Sequence, residues 1–352
     1  MGGAILPSLA ASLHLNDRQS GLLFFLYFLG TAIGALFCTR AYASRMVQGF
    51  TLAAAAAIGI AFAGPLTIHP LFFCFGIGIG APMSAVSMIA GQRFAARSAA
   101  PLTLLNFSWS AGALLAPLAA ARLLTHHSYA AGYAWIAAAA ALAAMFCALV
   151  LRNAPEAAQE AHSNGASALR WILLFGLLTF LEVGIENTTV TWLATFVLRT
   201  SAKGDVHAAA VSSLYWIGFL AARGLSSALL LRLDARRFLA ASASVALLAS
   251  VVLISAPSVT GRNLGMFILG ASLAPIFPLL LSLFFARVPK TAESRWVLAS
   301  CGFGGSVLPW MAGTLSQHTG SLQAGLAIIP ASMLVILCTL PALRTRSVAQ
   351  LS

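Results

Sequence analysis

The sequence predicts an all-α integral membrane protein of two six-helix halves, about 12 spans in parallel repeat. Three observations carry that prediction. Hydrophobic residues fill 60% of the 352 positions and charged residues only 8%, whereas a soluble domain is about a quarter charged. Apolar runs of about 20 residues, the length that crosses the hydrocarbon, recur along the chain, without the short alternating segments of a spanning barrel. Motifs of the first half also return, in order, in the second.

Residues 2–15 are apolar but short. Fifteen residues of helix reach about 22 Å, against about 30 Å of hydrocarbon. The segment lacks the positive start of a signal peptide. It reads as the second half of a truncated helix one, with roughly 20 mostly apolar residues expected upstream. Spans follow near 21–43, 46–68, 70–92, 101–124 and 129–151. After a polar stretch come 170–198, 208–231, 236–256, 263–286, 295–317 and 321–343.

The repeat sets the organisation. Residues 26–30 (LYFLG) return as 214–218 (LYWIG), 188 residues on. Ala81-Pro82 returns as Ala274-Pro275, 193 on, and 112–117 (GALLAP) as 304–309 (GGSVLP), 192 on. An offset of six helices keeps both halves in one orientation. The expected units are an N-terminal half at 1–152 with helix one incomplete, a cytoplasmic linker at 153–169 and a C-terminal half at 170–352.

The net charge of +12 does not indicate nucleic acid, because Lys and Arg sit in short loops between apolar runs. Alternate loops hold Arg40, Arg45, Arg93, Arg97, Arg152, Arg170, Arg232, Arg236, Arg237, Arg287, Lys290, Arg295, Arg344 and Arg346. The opposite side holds Arg18, Arg122, Arg199, Lys203 and Arg262. The richer side is expected to be cytoplasmic, and the C-terminus with it. The expected home is a cell membrane, of the bacterial inner-membrane type. Five scattered cysteines and the adjacent His126 and His127 lack ligand spacing. No metal or cofactor is expected. Gly76, Gly78 and Gly80 follow no strand, which rules out a dinucleotide loop.

Glu182 and Glu186 stand four apart in the run 171–197, so they share one helix face. Ionisable groups at membrane depth are costly, face the bundle interior and mark solute or proton paths. Two carboxylates there cannot both ionise cheaply, so one is expected to hold a proton near neutral pH. The alternative is a permanent ion pair that only holds helices together. Asn187, Thr188, Thr189 and Thr191 make the same helix polar, which suits a solvated cavity. Arg223 is the one basic residue well inside a span. It is a candidate for a switchable pair with Glu182 or Glu186, or for a structural pair or snorkelling.

Asn106, Trp109 and Ser110 fall on one face of the run 101–124. An amide beside an indole suits a polyhydroxylated ligand. Tyr215, Trp216 and Trp310 extend that candidate set, and Asn106 gluing two helices is the competing reading. Trp192, near the outer end of its helix, is expected at the membrane interface.

These residues resemble the Major Facilitator Superfamily. Residues 16–34 (NDRQSGLLFFLYFLGTAIG) are similar to its first loop and second helix, and 218–237 to its eighth helix and following basic loop. Residues 181–196 (LEVGIENTTVTWLATF), 269–283 (LGASLAPIFPLLLSL) and 300–326 resemble the fucose–proton symporter and sugar-permease branch. The resemblance puts Glu186 on the acidic position of the seventh helix, Asn106 on a polar position of the fifth and Arg223 on the basic position of the eighth. Glu182 stands where an aromatic is common, and Ser44 where the superfamily usually has an aspartate.

The expected function is secondary active transport of a small polar solute, a sugar, by proton symport with alternating access. The alternatives are proton-driven efflux of amphipathic compounds and a degenerate, non-transporting membrane protein. No nucleophile–base set is visible, so an enzyme is not expected. The expected partners are a small-molecule substrate, protons and the lipid bilayer, and the protein is expected to act as a monomer.

Overall fold

The computed structural model describes residues 2–36, 41–93, 99–126, 128–151, 169–201, 204–229, 233–285, 287 and 295–343. Among these, all regular structure is helical. The earlier helices are α1 (Gly2–Ser12), α2 (Asp17–Leu36), α3 (Tyr42–Ala61), α4 (Ile68–Arg93), α5 (Ala99–His126) and α6 (Tyr129–Val150). The later ones are α7 (Leu169–Thr200), α8 (Asp205–Leu229), α9 (Ala235–Ser255), α10 (Val259–Leu273), α11 (Ile276–Phe285), α12 (Arg295–Thr319), α13 (Leu322–Leu326) and α14 (Ile328–Thr339). A 3-10 turn at Leu340–Leu343 closes the described chain. Among the described residues, eight segments are long and apolar enough to cross a membrane, with α10 and α11 counted together as Val259–Phe284. The protein is a multi-pass membrane protein. The expected linker, apart from Leu169, lies outside the described residues.

Local chemistry sets the ends. α2 begins earlier than the apolar run suggests because Asn16 and Gln19 form a reciprocal box. The Gln19 N–H donates to Asn16 Oδ1 at 2.9 Å, and the Asn16 N–H to Gln19 Oε1 at 3.0 Å. α3 stops before Gly64-Pro65, since Pro65 has no N–H to continue the ladder. Asp234 and Ser258 cap α9 and α10 by accepting from the Arg237 and Gly261 amides. The span expected at 263–286 is two helices, because Pro275 interrupts it between Leu273 and Ile276.

Helices do not gain from the hydrophobic effect when they meet in lipid, so close backbone approach must supply contact. α4 lies along α2 in this way. A Cβ on Gly76 or Gly80 would collide with the carbonyl oxygens of Tyr27 and Thr31. Gly270 of α10 meets the Tyr215 carbonyl of α8, and Gly304 of α12 the Phe180 carbonyl of α7, in the same manner. A side chain at such a site overpacks the seam at a cost of about 1–3 kcal/mol or more. Gly270→Val is therefore expected to lower folded yield and unfolding temperature sharply. Leu264→Val on the same helix, 55% exposed, is expected to change neither. Equal melting of the two variants in detergent would show that the α8–α10 seam is loose.

Among the described residues, several contacts join the earlier helices to the later ones. α1 lies on α7, with Gly3 against the Val190 carbonyl. α2 lies against α12, and α5 against α8. The α5–α8 contact borders the site.

Candidate functional site

The long helix α7 carries the acidic pair. Glu182 is fully buried and neither of its carboxyl oxygens has a hydrogen-bond partner. Glu186, one turn on, is partly exposed. Most polar neighbours are satisfied by the helix itself. Thr188 donates to the Gly184 carbonyl at 2.7 Å, Thr189 to Ile185 at 2.8 Å and Asn187 to Val183 at 3.0 Å. Such bonds back to residue i−4 are the usual fate of small polar side chains within a helix. Thr191 differs, because its buried hydroxyl has no partner.

Arg223 reaches in from α8. Its Nη1 donates to Ser110 Oγ on α5 at 2.9 Å, and its Cζ lies 4.7 Å from the Phe219 ring centroid. It lies within electrostatic reach of both glutamates. The expected direct pair with Glu182 or Glu186 is not formed: among the described residues the one ion pair lies elsewhere, between Asp17 and Arg199. The Ser110 hydroxyl and the Phe219 face hold the guanidinium instead. Beside this link Trp109 meets Trp216 edge-on, with ring centroids 5.5 Å apart. Tyr215 is fully buried under Trp216, and its hydroxyl has no partner.

The structure thus brings Glu182, Glu186, Ser110, Trp109, Tyr215, Trp216 and Arg223 into one neighbourhood where α5, α7 and α8 converge. Asn106 lies on α5 one turn before Trp109, and its side chain lies outside the described residues. Trp310 stands apart, 5.8 Å from the Phe25 ring of α2. Trp192 is not at an interface. It is wholly buried, and its Nε1 donates to the Pro309 carbonyl at 2.9 Å, a partner a buried indole needs. Cys301 of α12 lies within electrostatic reach of both glutamates; nothing in its sequence spacing marked it.

A second polar cluster was not anticipated. Asp17, in the first turn of α2, accepts from Arg199 Nη1 at 2.7 Å and Nη2 at 2.5 Å. Ser316 of α12 donates to the same carboxylate. This bidentate geometry is the strong form of the pair. Around it, Gly313 closes on the Asp17 carbonyl and the Trp192 ring, and Gly21 on the Trp310 backbone. The cluster locks together the ends of α2, α7 and α12 that lie opposite the arginine-rich loops. Asp17 is one of only eight acids in the chain, which was the available signal.

The description Major Facilitator Superfamily belongs to the family model that matches residues 1–296. Over 166 residues the chain is 30% identical to the glucose/mannose transporter GlcP of Bacillus subtilis (strain 168), a match covering 46% of this chain and 40% of that protein. The chain therefore aligns with less than half the length of that relative. The solved structure of a mutant of the nucleoside transporter NupG is similar at a TM-score of 0.80 and 15% identity, covering 98% of this chain and 95% of that one. A mutant of the E. coli fucose:proton symporter FucP is similar at 0.61 and 17% identity, covering 98% and 96%. At these identities the two structures speak for the fold alone.

Proposed function

The chain belongs to the Major Facilitator Superfamily, and from that premise we propose that it carries a small, sugar-like polar solute together with a proton. The observation that carries this reading is Glu182, buried with both oxygens unpartnered, one turn from Glu186 and in reach of an arginine held by a neutral hydroxyl. An unpaired charge in such a place costs several kcal/mol. Taking up or losing a proton there changes the energy of the site enough to drive a rearrangement. Arg223 can exchange its Ser110 contact for a glutamate as that proton leaves. The glucose/mannose function of the GlcP relative supports the choice of solute.

In this reading residues 1–152 and 170–352 form two halves that rock about the site. Glu186 and Glu182 carry the proton, with Arg223 as switch. Trp109, Ser110, Asn187, Thr191, Tyr215 and Trp216 are the candidates to line the path of the solute, with Asn106 and Trp310 as the further candidates that the mutants below and a Trp310 variant would test. The arginine-rich face and the C-terminus are cytoplasmic, and one copy suffices. The edge-on Trp109–Trp216 pair favours a second reading, proton-driven efflux of amphipathic compounds.

Transport by Asn106→Ala and Trp109→Ala, tested against hexoses and against lipophilic cations, separates the two. Leaving a sugar hydroxyl unpaired should weaken hexose binding by about 1–3 kcal/mol, or about 5- to 150-fold. The sugar reading expects both variants to lose hexose affinity. The efflux reading expects tolerance of the Asn106 change and a response to Trp109. If neither variant alters transport of any compound, this face of α5 packs against protein and the assignment fails.

A further inference from the structure

At the end of the bundle that carries the arginine-rich loops, α7, α9, α11 and the closing 3-10 turn meet in a corner lined by arginines. Arg287, just past α11, donates from Nη1 to the Leu283 carbonyl and from Nη2 to the Leu343 carbonyl, both at 2.7 Å. Its Cζ lies 5.1 Å from the Trp171 ring centroid, and Arg170 stacks on the same ring at 4.5 Å. The remaining donor, Arg287 Nε, is buried and has no acceptor. Nη2 of Arg236, in the first turn of α9, is buried and unpartnered as well.

The two guanidiniums lie within electrostatic reach of each other. Burial first, and then the Arg236 charge, hold Arg287 below the usual arginine range. Among the described residues no carboxylate relieves them. Asp234 accepts from the Arg237 amide, and Asp17 is taken by Arg199. Like charges drawn together with buried N–H groups unmet are destabilising on both counts. They become favourable around an anion with several acceptor oxygens. The planar fork of arginine matches phosphate in particular, and Trp171 holds two of the three arginines in place.

We propose that Arg236 and Arg287 form a phosphate-binding site, with Arg170 at its rim. Its position at the membrane end of the helices makes the phosphodiester of an anionic phospholipid one source of the group. A soluble phosphate monoester offers the same oxygens, and the experiment distinguishes the two.

The full chain, purified in detergent, is titrated with phosphatidylglycerol, phosphatidylcholine or glycerol 3-phosphate while its unfolding temperature is followed. Phosphatidylglycerol should raise the midpoint by about 3–5 °C near saturation, and phosphatidylcholine should not. Glycerol 3-phosphate reproduces the shift if a soluble ester suffices, and leaves it absent if the lipid is required. Arg236→Gln should lose most of the response, whereas Arg237→Gln, an exposed neighbour, should keep it. If Arg236→Gln does not fold, native mass spectrometry of the wild type decides: phosphatidylglycerol must survive detergent exchange in preference to phosphatidylcholine. The proposal is overturned if phosphatidylcholine stabilises equally, if neither phosphate compound has an effect, or if Arg236→Gln responds like the wild type.

Discussion

Glu186→Gln is expected to abolish accumulation of solute against a gradient while leaving exchange across the membrane measurable. The amide keeps the shape and most of the polarity of the carboxyl but cannot carry a proton. In proteoliposomes with an imposed pH gradient, the accumulation ratio should fall to equilibration. Counterflow, which needs binding and rearrangement but no net proton movement, should persist. Glu182→Gln should impair coupling less, because the resemblance puts the proton position at Glu186. If Glu182→Gln instead removes all accumulation and Glu186→Gln little, burial selects the proton carrier and the two roles are exchanged. Accumulation at the wild-type rate in both variants would move proton coupling away from this pair.

The second large effect is expected at Asp17. In a rocking cycle the bidentate contact with Arg199 must open whenever the site faces that side. Asp17→Asn removes the charge from bonds that hold that end shut. Charge-assisted hydrogen bonds contribute about 1.5–3 kcal/mol each, but the Arg199 side chain is 46% exposed, so solvent lowers the figure. A net loss near 1–2 kcal/mol shifts the balance of conformers about 5- to 30-fold towards the state open at that end. Spin labels on the ends of α2 and α12 should report a longer distance population in Asp17→Asn than in the wild type. Asp17→Ala combined with Arg199→Ala should shift that population by less than the sum of the single changes. Unchanged distances in the variant would make the pair a surface contact with no part in gating.

Much of this was legible before any coordinates. Composition and run length define a membrane bundle, and the four-residue spacing of Glu182 and Glu186 puts them on one face whatever surrounds them. Run length alone gives one span at 263–286, and it does not register that Pro275, lacking an N–H, divides that run into α10 and α11. The partners of Arg223 were not legible. The sequence offers Glu182 and Glu186 as candidate partners, whereas Ser110 sits 113 residues away on a third helix that packs on α8. The Asp17 cluster joins residues 182 and 299 apart in sequence, and no periodicity encodes such a meeting. Trp192 was misjudged for a related reason. Position near a helix end suggests lipid headgroups, but α12 covers that end and offers the Pro309 carbonyl.

The glycine seams have a consequence for how this chain tolerates variation. Burial usually predicts which positions are intolerant, with large core side chains the most sensitive. Here a saturation library should show a different map. Gly76 and Gly80 should reject every substitution, alanine included, because even a methyl group meets a carbonyl. Their spacing of four places the two intolerant positions one helical turn apart, as a ruled line along α4. Outward residues such as Leu142 and Leu149, both more than half exposed, should accept any apolar side chain. A lineage descended from this protein would therefore keep these glycines and freely exchange its outward leucines.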